Sequence, residues 1–233
     1  ASHKVSVSKP DPETTPLFEQ GPAFYTIRVK PSSGVSSASL TGKTEELKLG
    51  LKLSQKQAIR HYSDQGAVVF EIPKRPDQRY FVVAEDLWSR TEWPDGELYA
   101  PIGEDISGAI VGVDFSSTSP HLLIAGTTGS GKSVALDTIL RGLCYGKEPD
   151  ELRLHLIDPK FVELSHFADH PHVEGGIGHD TNDAIRVLDE MVVEMLERYQ
   201  KFKDAGVKSL ANFNSHGDTT EEERLPWRVV VLD

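Results

Sequence analysis

The chain has 233 residues, and its 25 lysines and arginines stand against 36 aspartates and glutamates, which gives a formal net charge of -11. Such a surface repels nucleic acid as a whole, so any nucleic-acid contact must come from a local basic feature. The single cysteine, Cys144, excludes an internal disulfide framework, and the sequence contains no apolar run of about 18 residues that could span a membrane.

The first part of the chain predicts a polar tail followed by a small α+β subdomain. Residues 1–20 are polar and contain three prolines, which is typical of a tail or linker. The segment 41–61 carries a weak helical stripe, and residues 21–98 together predict the small α+β subdomain. Runs rich in β-branched and aromatic residues, each predicting a strand, lie at 24–29, 66–72 and 80–83.

The second part, 99–233, alternates apolar strands with amphipathic helices. A long helix is expected over 181–203, where apolar residues recur every three or four positions, and a shorter helix follows Ser133. This alternation is typical of an α/β fold with a parallel sheet, in which ligands bind at the carboxyl ends of the strands. The predicted strands lie at 121–125, 152–157 and 227–232.

A phosphate-binding loop follows the first of these strands. Residues 126–133, GTTGSGKS, fit the pattern G-x-x-x-x-G-K-[ST] at every position. The glycines allow backbone N–H groups to surround phosphate oxygens, and the helix N-terminus adds partial positive charge. Lys132 is expected to reach the β and γ phosphates, and Ser133 to ligate Mg²⁺.

A nucleotide hydrolase of this type also needs a carboxylate at the end of a neighbouring strand to hold Mg²⁺. Asp158 follows LRLHLI and Asp233 follows VVVL, so both are candidates. Asp233 is the better match because four uninterrupted apolar residues precede it. Asp158 is then expected to support the site rather than to serve the metal.

Four histidines form a second group of candidate ligands, and a zinc site is one interpretation of them. They lie near Asp169 and Asp180, but their spacing matches no standard zinc pattern. Solvent exposure in a loop rich in glycine and proline is the simpler expectation, and Gly175-Gly176 in the same region predicts a flexible connection. The histidines are His166, His170, His172 and His179.

Several motifs taken together resemble the FtsK/SpoIIIE-type bacterial DNA translocases, over about residues 20–233. The phosphate loop in its setting PHLLIAGTTGSGKSV, together with IDPK and VELS, is specific for that family. Further similar segments are PIGEDISG, ERYQKF, AGVKSLANFN, the opening GPAFYTIRVKPSSGV and the terminal VVVLD.

This resemblance implies a RecA-like P-loop ATPase core within a hexameric ring that hydrolyses ATP with Mg²⁺ and moves double-stranded DNA, in chromosome segregation or DNA transfer. The implied catalytic residues are Lys132 and Asp233, with Ser133 and Asp233 serving Mg²⁺. The resemblance also implies a cytoplasmic location, with an inner-membrane anchor elsewhere in a longer parent protein. Implied nucleotide contacts are Gly126, Thr127, Thr128, Gly129, Ser130, Gly131, Lys132, Ser133 and Val134.

DNA-facing loops in the family lie near the segment that matches residues 201–214. This segment is locally basic, as an acidic chain requires for contact with phosphate backbones. Cations that simply stabilise a helix C-terminus are an equally good interpretation. The implied DNA contacts are Lys201, Lys203, Lys208, Asn212 and Asn214.

The chain departs from the family pattern at its end and leaves other functions open. The family carries a catalytic glutamate directly after the residue that matches Asp233, where this sequence stops, so we expect this segment alone to be inactive. An FtsK-like protein-export or conjugation coupling ATPase is one alternative function. A nucleotide-binding scaffold without motor activity is another.

Overall fold

The computed structural model describes residues 7–8, 16–116, 120–217 and 219–233. Most of the predicted tail, residues 1–6 and 9–15, lies outside this part of the chain. The chain forms two compact units, the first made of Ala1–Leu87 with Gly103–Val111 and the second of Trp88–Ile102 with Gly112–Asp233. The division into subdomains after residue 98 stays a prediction.

An antiparallel sheet dominates the first unit. Its strands are β1 (Val7–Ser8), β2 (Phe18–Gln20), β3 (Phe24–Pro31), β4 (Arg60–Asp64) and β5 (Ala67–Pro73). They run in the order β1-β3-β5-β4, and β2 also pairs with β3. Val68, Phe70 and Ile72 of the fully buried strand β5 pack with Leu40 to form the core.

The part of the chain between residues 37 and 114 also contains short helices and a two-stranded ribbon. The predicted helical stripe over 41–61 contains only the end of one short helix and one complete short helix, since residues from Arg60 onward belong to β4. The helices are α1 (Ser37–Thr41), α2 (Thr44–Gly50) and α3 (Ala84–Ser89). The ribbon consists of β6 (Tyr99–Glu104) and β7 (Ile110–Asp114).

One predicted strand of this region is wrong. Residues 80–83 form an irregular connection into α3 rather than a strand, and the side chain of Phe81 is 96% exposed. A strand requires a hydrogen-bonding neighbour, whereas this segment pairs with none of the described strands. The hydroxyl of Tyr80 instead donates to Glu104 Oε2 at 2.7 Å.

A parallel three-stranded sheet organises the second unit, in the order β10-β8-β9. In the register of this sheet Trp227 pairs with Leu152 and Leu232 with Ile157, so Asp233 and Asp158 follow neighbouring strands at the same edge. The elements are α4 (Lys132–Gly146), β8 (Leu152–Ile157), β9 (Val173–Gly178), α5 (Thr181–Asp204), α6 (Leu210–Asn214) and β10 (Trp227–Leu232). This arrangement confirms the predicted α/β fold class with a parallel sheet.

The core of this unit lies where α4 covers the sheet. Leu140 and Leu143 of α4 pack with Leu154 and Leu156 of β8, and Phe167 closes the cluster. Each of these side chains is almost completely buried. Fully burying one such side chain contributes about 1.5–3 kcal/mol, so this packing fixes the position of the helix that follows the phosphate loop.

The long helix α5 confirms the prediction of a helix over 181–203. Asp180 caps it, because Oδ1 accepts hydrogen bonds from the N–H groups of Asn182 and Asp183 at 2.7 and 2.9 Å. Arg198 of α5 donates to the carbonyl of Pro226 at 2.7 Å and so ties the helix to the segment that enters β10.

Two segments near the sheet differ from their predictions. Gly175 and Gly176 lie within β9, not in a flexible connection, at a β-bulge where their positive φ angles of 77° and 75° favour glycine. Residues 121–125 form no strand, and among the described strands the sheet stops at β10. A strand needs a hydrogen-bonding neighbour, and this segment pairs with none of the described strands; it lines a cavity of about 720 Å³ together with β10.

Candidate nucleotide-binding site

The phosphate loop is exposed and shaped by its glycines. Gly129 and Gly131 have φ angles of 78° and 95°, in the left-handed region that side chains with a Cβ rarely adopt. The turn is closed by the N–H of Ser130, which donates to the carbonyl of Thr127 at 3.0 Å. Gly126, Thr127 and Thr128 are exposed as well.

The N-terminus of α4 is open at this loop. Its N-cap residue is Gly131, which has no side chain to accept a hydrogen bond from the first turn, and that turn contains no acidic residue. The first N–H groups of a helix lack partners within the helix. Together with the partial positive charge of the helix end, they form a binding site for an anion such as phosphate.

Lys132 and Asp233 meet at this helix end. Lys132 Nζ forms an ion pair and hydrogen bond with Oδ1 of Asp233, although the residues are far apart in sequence. Asp233 is held in place because its N–H donates to the carbonyl of Ile157 at 3.0 Å. The hydrogen bond that Lys132 donates to Asp233 raises the pKa of Lys132, so this lysine stays positively charged.

The remaining sequence-predicted residues lie close by along the chain. Ser133 lies in the first turn of α4 and is half-buried, whereas Val134 is exposed. The loop, Lys132, Ser133 and Asp233 therefore provide the types of group that bind a magnesium nucleotide: backbone donors, a cation, a hydroxyl and a carboxylate.

Asp158 has a different environment from Asp233. Its carboxylate is completely buried and accepts hydrogen bonds from four backbone N–H groups at 2.9 to 3.1 Å. Burial by itself raises the pKa of this group, but these donors outweigh it and hold the pKa below its ordinary value of 3.8. The donors are Lys160, Val162, Glu163 and Leu164.

Replacing Asp158 by asparagine is therefore expected to destabilise the protein by about 2–4 kcal/mol, since an amide nitrogen cannot accept these bonds. Because the folded-state pKa is depressed, the carboxylate stabilises the protein above pH 3.8, and this contribution is lost as the pH falls through the folded-state value. Urea unfolding at neutral and acidic pH measures both effects. The exposed Asp150, replaced in the same way, is the control, and equal stability of the two variants would contradict this role.

The sequence-predicted DNA contacts lie together at the end of α5 and in α6. Lys201 and Lys203 are exposed in the last turn of α5, and Lys208 is exposed in the loop that follows. Asn212 is exposed on α6. These four side chains are available to a ligand.

Asn214 has a structural role instead. Its Nδ2 donates to the carbonyl of Leu225 at 2.8 Å, and its Oδ1 accepts from the N–H of the same residue at 2.9 Å. Both ends of the amide are therefore occupied within the chain. Asn214 braces the segment before β10, which the sequence alone did not indicate.

The histidines differ in exposure, which corrects the expectation that all of them face solvent. His166 and His179 are exposed, whereas His172 is only 5% exposed. The imidazole of His172 contacts the ring of His170, with a centroid distance of 5.1 Å.

Within the described residues, no helix is both long and apolar enough for a membrane span.

Comparison with known proteins shows the family. The model of the FtsK/SpoIIIE family matches residues 83–232. DNA translocase FtsK of Campylobacter jejuni is 32% identical over 91% of the chain, and DNA translocase SftA of Bacillus subtilis is 34% identical over 92%. DNA translocase FtsK of Caldanaerobacter subterraneus is 33% identical over 92%.

The chain spans only 22 to 30% of the length of these three relatives. A solved structure, the cytoplasmic domain of EssC, is 24% identical over 58% of this chain and 26% of its own, with a TM-score of 0.46. That likeness is too weak to carry an argument. The family match covers the second unit except for Asp233, and it includes the phosphate loop and the whole of β10. The chain belongs to the FtsK/SpoIIIE family.

Proposed function

We propose that the chain is the ATP-binding part of a motor that uses ATP hydrolysis to move double-stranded DNA. The observation that best supports an ATPase is the meeting of Lys132 and Asp233 beside the open N-terminus of α4. The part of the proposal that concerns DNA rests on family membership and on relatives that are named DNA translocases.

In this proposal each group at the loop has a separate task. The loop N–H groups bind the phosphates, and Lys132 leaves Asp233 to neutralise the β and γ phosphates. Ser133 ligates Mg²⁺, and Asp233, once released, holds it through a bound water. Gly126, Thr127, Thr128, Gly129, Ser130, Gly131 and Val134 complete the nucleotide contacts.

The proposed assembly is a hexameric ring around DNA. A net charge of -11 opposes the approach of DNA to a single chain. A ring places several copies of the same basic segment around one duplex, so the contacts add together although each is weak. The proposed location is the cytoplasm, with an inner-membrane anchor elsewhere in the parent protein.

The proposed DNA contacts are the exposed side chains near the end of α5, namely Lys201, Lys203, Lys208 and Asn212. Lysines on an exposed helix end and loop bind phosphate groups without reading base sequence. Such binding suits a motor that must move along any duplex.

In the full-length parent protein, replacing Lys201, Lys203 and Lys208 together by glutamate is expected to abolish the stimulation of ATP turnover by duplex DNA and to leave basal turnover unchanged. The slope of log affinity for DNA against log salt concentration is expected to fall by about one for each lost phosphate contact. ATP turnover and DNA binding at several salt concentrations measure these effects. The control is Lys48, Lys52 and Lys56 replaced by glutamate, an equal charge change in the first unit.

The same measurements separate the motor from its alternatives. If the variant changes only basal turnover, the basic segment is not a DNA contact. If duplex DNA does not stimulate ATP turnover by the unsubstituted full-length protein but a secreted polypeptide does, the protein is an export ATPase. If neither DNA nor polypeptide stimulates ATP turnover, the function of a nucleotide-binding scaffold without motor activity is favoured.

A further inference from the structure

The second unit brings together three side chains that can bind a metal ion, away from the phosphate loop. Cys144 lies near the end of α4, and His170 and His172 lie in the loop that leads into β9. One ligand atom of each, the thiol sulfur or a ring nitrogen, lies within 4.8 Å of the other two. Because Cys144 and His170 are 26 positions apart, no spacing motif in the sequence marks this cluster.

His172 provides the strongest indication that the cluster binds a ligand. The side chain is 5% exposed, and its Nε2 lies 2.8 Å from the carbonyl oxygen of Lys147. A carbonyl can only accept, so Nε2 carries the proton and Nδ1 presents a lone pair. That Nδ1 is buried and has no hydrogen-bond partner among the described residues.

Such an arrangement is typical of a metal-binding histidine. The ring nitrogen opposite the metal usually donates to a carbonyl or carboxylate, which fixes the tautomer and the orientation of the ring. A buried acceptor without a donor is destabilising, because it has lost its hydrogen bonds to water. A metal ion would satisfy Nδ1 of His172.

The other two side chains are of types that bind a soft or borderline metal, and the thiol must lose its proton to do so. Burial raises the pKa of Cys144 to about 12, and burial lowers the pKa of His170, helped by His172 and Arg141. The thiol and the imidazole are therefore both uncharged at neutral pH. Neutral imidazole binds metals directly, and a thiol loses its proton as the metal binds.

We propose that Cys144, His170 and His172 form a binding site for Zn²⁺ or a similar thiophilic divalent ion. Two nitrogens and one sulfur are ligands that zinc prefers, and water completes the tetrahedron. Zinc distances of about 2.0–2.3 Å place the ligand atoms of one ion roughly 3.3–3.8 Å apart. Since the ligand atoms already lie within 4.8 Å of one another, at most a small movement of the side chains is needed when the ion binds.

The ion would connect the end of α4 to the loop before β9. The helix α4 begins at Lys132, so the site lies at the far end of the helix that starts at the phosphate loop. Metal binding would stabilise the folded chain, because the three ligands are held together only in that state. The site does not depend on the proposed motor function.

The test uses Co²⁺ as a spectroscopic probe of the purified chain, kept reduced with a phosphine. One equivalent of Co²⁺ is expected to produce the near-ultraviolet charge-transfer band of a cobalt thiolate together with the visible bands of tetrahedral cobalt. Zn²⁺ is expected to abolish these bands by displacing Co²⁺, for which such sites have lower affinity. Zn²⁺ is also expected to raise the thermal unfolding midpoint.

Variants decide whether the signal comes from the proposed site. Cys144→Ser is expected to abolish the charge-transfer band, and His170→Gln to weaken Co²⁺ binding at least about tenfold. His166→Gln is the matched control, since this exposed histidine pairs with Asp137 outside the cluster and should change neither result. A chain that gives no charge-transfer band, or one whose Co²⁺ affinity is left unchanged by both Cys144→Ser and His170→Gln, would overturn the proposal.

Discussion

In the full-length parent protein, replacing Lys132 by alanine is expected to lower ATP turnover at least about a hundredfold and to weaken ATP binding. The side chain is 34% exposed and forms its ion pair with Asp233 at the open end of α4. In the proposed complex its ammonium neutralises charge on the β and γ phosphates, where alanine leaves that charge uncompensated. Turnover with and without duplex DNA, and binding of a fluorescent ATP analogue, measure the two effects.

A matched control separates the task of Lys132 from a general loss of charge. Arg186 is an exposed cation on α5 that pairs with Glu190 of its own helix at 3.2 Å. Its replacement by alanine removes the same charge and is expected to leave turnover unchanged. If Lys132→Ala keeps full DNA-stimulated turnover, the loop is not the ATP site and the proposed function fails.

Local patterns were sufficient to predict the elements around the site. The glycines of the phosphate loop, the apolar stripe of α4 and the period of α5 depend on neighbouring residues, so they can be identified in the sequence. The position of Asp233 followed from the apolar run before it. The structure places it at Lys132, a meeting that depends on the pairing of β8 with β10.

Features that depend on distant residues or on the path of a loop could not be predicted. The runs 80–83 and 121–125 have strand-like composition, but a strand also needs a neighbour, and neither run pairs with a described strand. Asp158 resembles a metal ligand in sequence, yet the loop that follows it folds back and directs four N–H groups at its carboxylate. The partners of Asn214 and His172 lie further away, at 11 and 25 positions along the chain.

Replacing Asp233 by asparagine is expected to affect ATP hydrolysis and ATP binding differently. In the full-length parent protein, hydrolysis of ATP with Mg²⁺ should fall about a hundredfold, because the amide holds the water shell of the ion less well. Binding of ATP in EDTA should be unchanged or a few-fold tighter. In the absence of nucleotide, Asp233 forms an ion pair with the ammonium group of Lys132, and the phosphates of ATP must displace it.

The two effects together distinguish a metal-binding residue from a merely structural one. If Asp233 only held β10 in place, its replacement would weaken nucleotide binding with and without Mg²⁺. Isothermal titration in Mg²⁺ and in EDTA, together with turnover over a range of Mg²⁺ concentrations, separates these cases. Asp189→Asn, which changes an exposed carboxylate on α5, is the control. Equal loss of binding in both buffers would show that Asp233 does not compete with the phosphates for Lys132, and the magnesium site would then have to be sought elsewhere.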